Sequence, residues 1–241
     1  MTESANAVRQ VLIGLVSLAA AEEMMLLARV SLGEDAGDAD VWAARPTIAH
    51  TSEFRDEQVQ RLIAIRRGCE PPEFARVEHK SADTYRRYAA VNEESVSGQS
   101  HATSAALIDE TRRCSDEDLL DPSRNPWLRG RQLWLQIIVR GFWHPTGHLG
   151  DYYVQHDQPE RALALHAHAL ATNAYLRAPA MAIGMAHYSM ACTQAVTGRE
   201  DDAVASLRLA VERNPDLREH ARAEPDLREL RDDGRLAAVL A

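Results

Sequence analysis

The sequence predicts an all-α protein, a four-helix bundle followed by a short helical extension, and three observations lead to it. Ala, Leu, Glu and Arg dominate a chain of 241 residues with 12 glycines and 5% aromatic residues, a composition of strong helix formers with few breakers. Apolar residues gather in four long stretches joined by loops or one short helical segment, which is the pattern of a bundle. The last third carries small residues at the spacing of a helix–turn–helix repeat.

The first helix is expected from Ser4 to about Leu32, ended by Gly33 and the Gly/Asp stretch to Asp40. Its segment Val11 to Ala21 has the look of a signal-peptide core. Glu3 and Arg9 before it, Glu22-Glu23 after it and apolar residues continuing through Leu27 favour a buried helix instead. A second helix starts with Pro46 in its first turn, where a missing N–H costs nothing, and carries Ile48, Phe54, Val59, Leu62, Ile63 and Ile65 to Gly68. Pro71-Pro72 mark a loop. Helical segments follow from Ser81 to Val96 and from Ser100 to Arg113, the latter with Ala105, Ala106, Leu107 and Ile108 as its buried side. Ser115 followed by Glu117 and Asp118 reads as a capped short helix to Leu120. After a loop to Pro126, a long apolar helix begins near Gly130 and carries Leu133, Trp134, Ile137, Ile138 and Phe142.

Hydrophobic residues make up 45% of the chain, so it is globular rather than disordered. A net charge of −9 argues against a nucleic-acid partner, because no basic surface is left to track phosphates. The three cysteines, Cys69, Cys114 and Cys192, have no CxxC spacing, which fits a reduced, cytosolic compartment. No uninterrupted apolar run of about 18 residues is present, so no membrane partner is expected.

The chemistry concentrates in three histidines. His144 and His148 stand four apart in the fourth long helix, a spacing that puts both on one face. His50 lies near the start of the second helix. Three imidazoles from two facing helices give a nitrogen-only donor set that suits zinc, nickel or iron and leaves positions open for water or substrate. The alternative is three helical histidines that are packed or solvated without metal. Pro145 sits between the pair, so the helix either kinks there or restarts with the proline in its first turn. Glu53 and Asp151, each one turn past a histidine, are candidate supporting carboxylates or simply exposed helix charges. His156, His166, His168 and His187 have no partner at ligand spacing and read as surface or packing residues. Cys69 and Cys114 have no adjacent base and receive no nucleophilic role.

Trp42 to His50, Asp116-Glu117-Asp118-Leu119-Leu120, Trp127, Gly130-Arg131 and His144…His148 occur in the order and approximate spacing of the DinB-like family, which this chain resembles from Ser4 to Asp157. The departures are Thr51, where the family has leucine, and Pro145 within the ligand pair. The resemblance implies a metal-binding four-helix bundle with His50, His144 and His148 as ligands. It also implies one of the family's activities, which include thiol-dependent S-transfer, isomerisation and protection against reactive natural products (the DfsB type).

Further on, Met190-Ala191, Gly198, Ala203, Leu207, Ala210-Val211 and Pro215 match a tetratricopeptide-like (TPR-like) repeat. A partial upstream match runs through Leu149-Gly150, Tyr153, Ala162 and Ala169-Leu170, and Leu217 to Ala241 reads as closing helices. The expected domains are therefore 1–157, the bundle, and 158–241, the TPR-like extension, whose first repeat shares residues from about 146 to 157.

The favoured function is a divalent-metal-dependent enzyme, a hydrolase or thiol S-transferase acting on a small electrophilic molecule, with a low-molecular-weight thiol as co-substrate in the second case. The alternatives are a non-catalytic interaction module that binds a protein partner at the extension, and a metal-independent resistance protein that sequesters a reactive metabolite. Each of the three readings leaves room for a homodimer.

Overall fold

The structure is a computed structural model that describes residues 4–30, 41–74, 87 and 92–240. It is helical, and no strand occurs among the described residues. The chain divides into two compact units, Met1–Tyr152 and Tyr153–Ala241.

In the first unit, α1 (Ala5–Arg29) starts at Ser4, whose hydroxyl accepts from the Ala7 N–H. Val8, Val11, Leu12, Leu15, Val16 and Ala19 form its buried stripe. By mean hydropathy, 1.9 over its best 18 residues, α1 is apolar enough to cross a membrane, and half of that window is buried inside the protein. The tail of the expected first helix, from Ser31, lies outside the described residues. Helix α2 (Ala44–Arg66) holds Pro46 in its first turn and ends where Gly68 takes a φ of 68°, a left-handed conformation that glycine adopts without strain.

Helix α3 (Glu93–Arg113) is capped by Asn92, whose side chain accepts from Ser95 N–H at 2.9 Å. It therefore runs unbroken through Val96 and Ser100, in place of the two segments that the sequence suggests. The stretch 81–91 lies outside the described residues apart from Arg87. Its buried side also differs from expectation: Ser100, Thr103, Ser104, Leu107, Glu110 and Thr111 face inward while Ala105 is exposed. The reason is a polar interior shared by three helices. Glu23 of α1 accepts from Arg55 of α2 at 2.6 Å, from Thr51 at 2.8 Å and from Ser100 of α3 at 2.5 Å, and neither charged side chain is exposed. Small hydroxyl residues on α3 face this pair because a buried charge needs hydrogen-bond partners on all sides.

The capped short helix is α4 (Asp116–Leu120), with the Ser115 hydroxyl accepting from Asp118 N–H at 3.0 Å. Beyond a 3₁₀ turn at Pro126–Leu128, helical structure is continuous as α5 (Leu133–Ile138), a π turn (Val139–Trp143) and α6 (His144–Gln155). Leu133, Trp134, Ile137, Ile138 and Phe142 are buried as the pattern predicted. Helices α1, α2, α3 and this fourth stretch pack side by side, with α2 lying along α3 and the π turn against α1 and α2.

The second unit consists of α7 (Pro159–Tyr175), α8 (Ala180–Val196), α9 (Glu200–Arg213) and three short closing helices, α10 (Leu217–Ala223), α11 (Arg228–Asp232) and α12 (Arg235–Leu240). Helix α8 packs on both α7 and α9. A Cβ on Gly184 would stand 2.8 Å from Asn214 Cβ and 3.0 Å from the Ala210 carbonyl, so α8 and the end of α9 approach at the closest distance a glycine permits. Tyr188, Ala191, Ala203, Leu207, Ala210 and Val211 fill the interface and meet Leu217, Leu227, Leu230 and Leu236 from the closing helices.

Candidate metal centre

The local fold at Pro145 decides where two of the three histidines point. A proline in a helix has no N–H to offer, and its ring collides with the carbonyl four residues back, here that of Gly141. The chain meets this by widening to a π turn over Val139–Trp143, in which the His144 N–H reaches back to the Val139 carbonyl. The α-helix then resumes at His144 with Pro145 in its first turn. The Thr146 hydroxyl donates to the Phe142 carbonyl at 2.8 Å, which ties the first turn of α6 to the π turn. Gly141 lets the widened turn sit tightly, since a Cβ there would stand 2.7 Å from both Val16 Cγ2 and Leu107 Cδ2.

With the helix set this way, the His144 and His148 rings both face α2. His50 Nε2 lies 3.2 Å from His144 Nε2, and His148 Nε2 lies 3.1 Å from it. His50, His144 and His148 each offer one ligand nitrogen within 4.8 Å of the others, close enough to hold a metal ion. His50 is wholly buried and the other two are partly exposed, so any open position faces the side of His144 and His148.

The His50–His144 and His144–His148 separations fit an ion. A metal–nitrogen length of about 2.0–2.1 Å separates two ligand nitrogens by about 3.3 Å at a tetrahedral angle and about 3.0 Å at a right angle. Hydrogen bonding among the rings alone does not fit as well. His144 Nε2 carries one lone pair or one proton and meets two nitrogen neighbours, so at most one contact can be a hydrogen bond in the neutral state. A cation accepts all three lone pairs at once.

The surroundings keep His144 and His148 free of added protons. Burial, together with the neighbouring His148, His50, Arg140 and Arg55, lowers His144 to about 2, and burial lowers His148 to about 4. Packing fixes the rings. Trp42 meets His50 edge-on at 5.5 Å, and Phe54 lies 4.7 Å from both His50 and His144. His144 Nδ1 has no hydrogen-bond partner among the described residues, so Phe54 rather than a carboxylate orients that ring.

No carboxylate joins the ligand group among the described residues. Glu53 is ion-paired with Arg87, and Asp151 is exposed. His166 is buried within α7, where burial lowers it to about 4, while His168 is exposed. Cys114 is pushed up to about 12, first by burial and then by Asp118, so it is a poor nucleophile. Phe54, Arg55 and Arg140 also neighbour the centre, beyond the residues that the sequence points to. Phe54 stands four residues after His50 and Arg140 four before His144, so extending each helical stripe by one turn would have found both.

Comparison with protein-family models, curated proteins and solved structures finds no significant match for this chain.

Proposed function

We propose that the chain is a DinB-like metalloenzyme in which His50, His144 and His148 hold one divalent transition ion, zinc, nickel or iron, and that it acts on a small electrophilic molecule by hydrolysis or thiol transfer. The observation that supports this most is the convergence of three imidazole nitrogens, with separations of 3.1 and 3.2 Å, between α2 and α6. A bound ion supplies Lewis acidity, which acidifies a water or thiol and polarises an electrophile. The protein's own contribution is to hold three neutral donors in one face, to leave the side of His144 and His148 open, and to wall the centre with Trp42 and Phe54. On this reading the first unit is a DinB-like four-helix bundle. The second unit is TPR-like, a reading supported by the fully buried Ala191, Ala203 and Ala210.

The reaction class is tested with metal-loaded protein and two model electrophiles, 4-nitrophenyl acetate and 1-chloro-2,4-dinitrobenzene, each with and without a small thiol. The proposal predicts turnover of at least one, at least tenfold above His144→Ala protein. Equal rates for wild type and variant on both would refute a catalytic role for the centre.

A further inference from the structure

Beside the histidines lies a second group of side chains that the metal does not use. Along α2, the face that carries His50 continues through Phe54, Glu57, Gln58 and Arg61 at helical spacing. Arg61 is 8% exposed, and its Nη1 has no hydrogen-bond partner among the described residues. Its guanidinium stacks on aromatic rings instead, 4.7 Å from the centre of Phe74 and 5.7 Å from that of Trp127. Arg140, from the π turn, lies 4.6 Å over the ring of Phe54, the same ring that touches His50 and His144. Its Nε is likewise buried without a partner among the described residues. Gln58 is fully buried with both amide ends unpartnered among them.

A buried guanidinium nitrogen without a hydrogen-bond partner is costly, and here two guanidiniums each have one among the described residues and stand close enough that burial and Arg61 together lower the proton affinity of Arg140. Glu57, 3% exposed, is the acidic group that faces both. Among the described residues, two guanidiniums thus face one carboxylate. The nearby Arg55 is already matched by Glu23, and three neutral histidines would add nothing to offset an ion.

We infer that Arg61 and Arg140, with Gln58, form a subsite for a singly charged carboxylate on the substrate, next to the three-histidine centre. Aromatic stacking holds each guanidinium plane while leaving N–H groups to present to the carboxylate, the geometry in which arginine binds carboxylates best. The electrophile would thus be an organic acid whose reactive carbon reaches the histidines past Phe54 while its carboxylate stays with the arginines. The inference specifies the substrate class of the proposed enzyme and rests on that reading for the role of the site, but the anion site is testable without catalysis or metal.

Benzoate serves as the probe, benzamide as its uncharged match and inorganic phosphate as the more highly charged anion. Each is titrated into full-length protein, metal-loaded and metal-stripped, with the quenching of tryptophan fluorescence as readout because Trp127 stacks on Arg61. Metal content is measured in parallel. The expected result is saturable quenching by benzoate in both forms, with benzamide and phosphate at least tenfold weaker. Arg61→Gln and Arg140→Gln should each weaken benzoate at least tenfold at unchanged metal content and helical signal. Equal binding of benzamide, tighter binding of phosphate, or benzoate binding indifferent to both substitutions overturns the subsite. Loss of metal alone with benzoate binding intact would count against the metal reading and leave the carboxylate subsite supported.

Discussion

Glu23 and Arg55 meet at 2.6 Å with neither side chain exposed, and that one pair explains why Ser100 and Thr103 stand on the inner face of α3. A carboxylate and a guanidinium removed from water need further hydrogen bonds, and Thr51, Ser100 and Thr103 supply hydroxyls while Arg55 Nε stays without a partner among the described residues. Glu23→Gln leaves Arg55 charged and unmatched, so it is expected to cost about 3–5 kcal/mol. Ser100→Ala, which removes one donor and leaves the pair, is expected to cost about 1–3 kcal/mol. Urea unfolding of both variants checks the order, and a Glu23→Gln protein as stable as wild type would refute this account of the interior.

The π turn depends on the smallness of Gly141. Gly141→Ala places a methyl 2.7 Å from the stiff Val16 side chain and from the more mobile Leu107, and overpacking of that kind costs about 1–3 kcal/mol. Adding Val16→Ala should recover part of the loss. If the double variant is no more stable than Gly141→Ala alone, contact with α1 is not what requires the glycine.

His166 gives a pH dependence separate from the metal centre. Its folded value of about 4 lies below the ordinary 6.5 because it is buried. The unfolded chain therefore takes up a proton that the folded state refuses. Stability is full above pH 6.5 and falls as pH drops toward 4, by about 1.4 kcal/mol per unit at the steepest. His166→Leu should reduce the loss of stability between pH 7 and pH 5 by about 2 kcal/mol relative to wild type, read from urea midpoints followed by circular dichroism. An unchanged difference would mean that His166 is protonated or unburied in the fold.

The thiols should separate by reactivity. Cys69 is exposed, Cys114 is held protonated by burial, and Cys192 is buried. Iodoacetamide at pH 8 is expected to label Cys69 well before the other two in native protein, as read by peptide mass analysis. The Cys69→Ala and Cys114→Ala variants should keep metal and activity, and loss of activity with metal retained would assign the nucleophile to a protein thiol.

What could be read in the sequence followed the range of the interactions. The inward positions Leu133, Trp134, Ile137, Ile138 and Phe142 follow from spacing within one helix, as does the shared face of His144 and His148. Apolar burial is a local preference that repeats every turn. The buried face of α3 could not be read that way, because Ser100 and Thr103 resemble solvent-facing residues until Glu23 and Arg55 are placed opposite them. Pro145 left two backbone routes open. The choice between them depends on Gly141 fitting against Val16 and Leu107, contacts with distant parts of the chain. Arg61 and Arg140 pass as ordinary surface charges in sequence, and only the structure shows a buried nitrogen of each without a hydrogen-bond partner among the described residues.

The most direct test of the central claim is the metal content of the protein. Protein purified without chelators, and protein stripped and reconstituted separately with zinc, nickel and ferrous iron, would be analysed by inductively coupled plasma mass spectrometry beside His50→Ala, His144→Ala and His148→Ala. The account predicts about one equivalent of a single transition ion in wild type, and stoichiometric loss in each variant with helical content retained. Wild-type protein that holds no ion after reconstitution, or variants that hold it as tightly as wild type, would contradict the three-histidine centre.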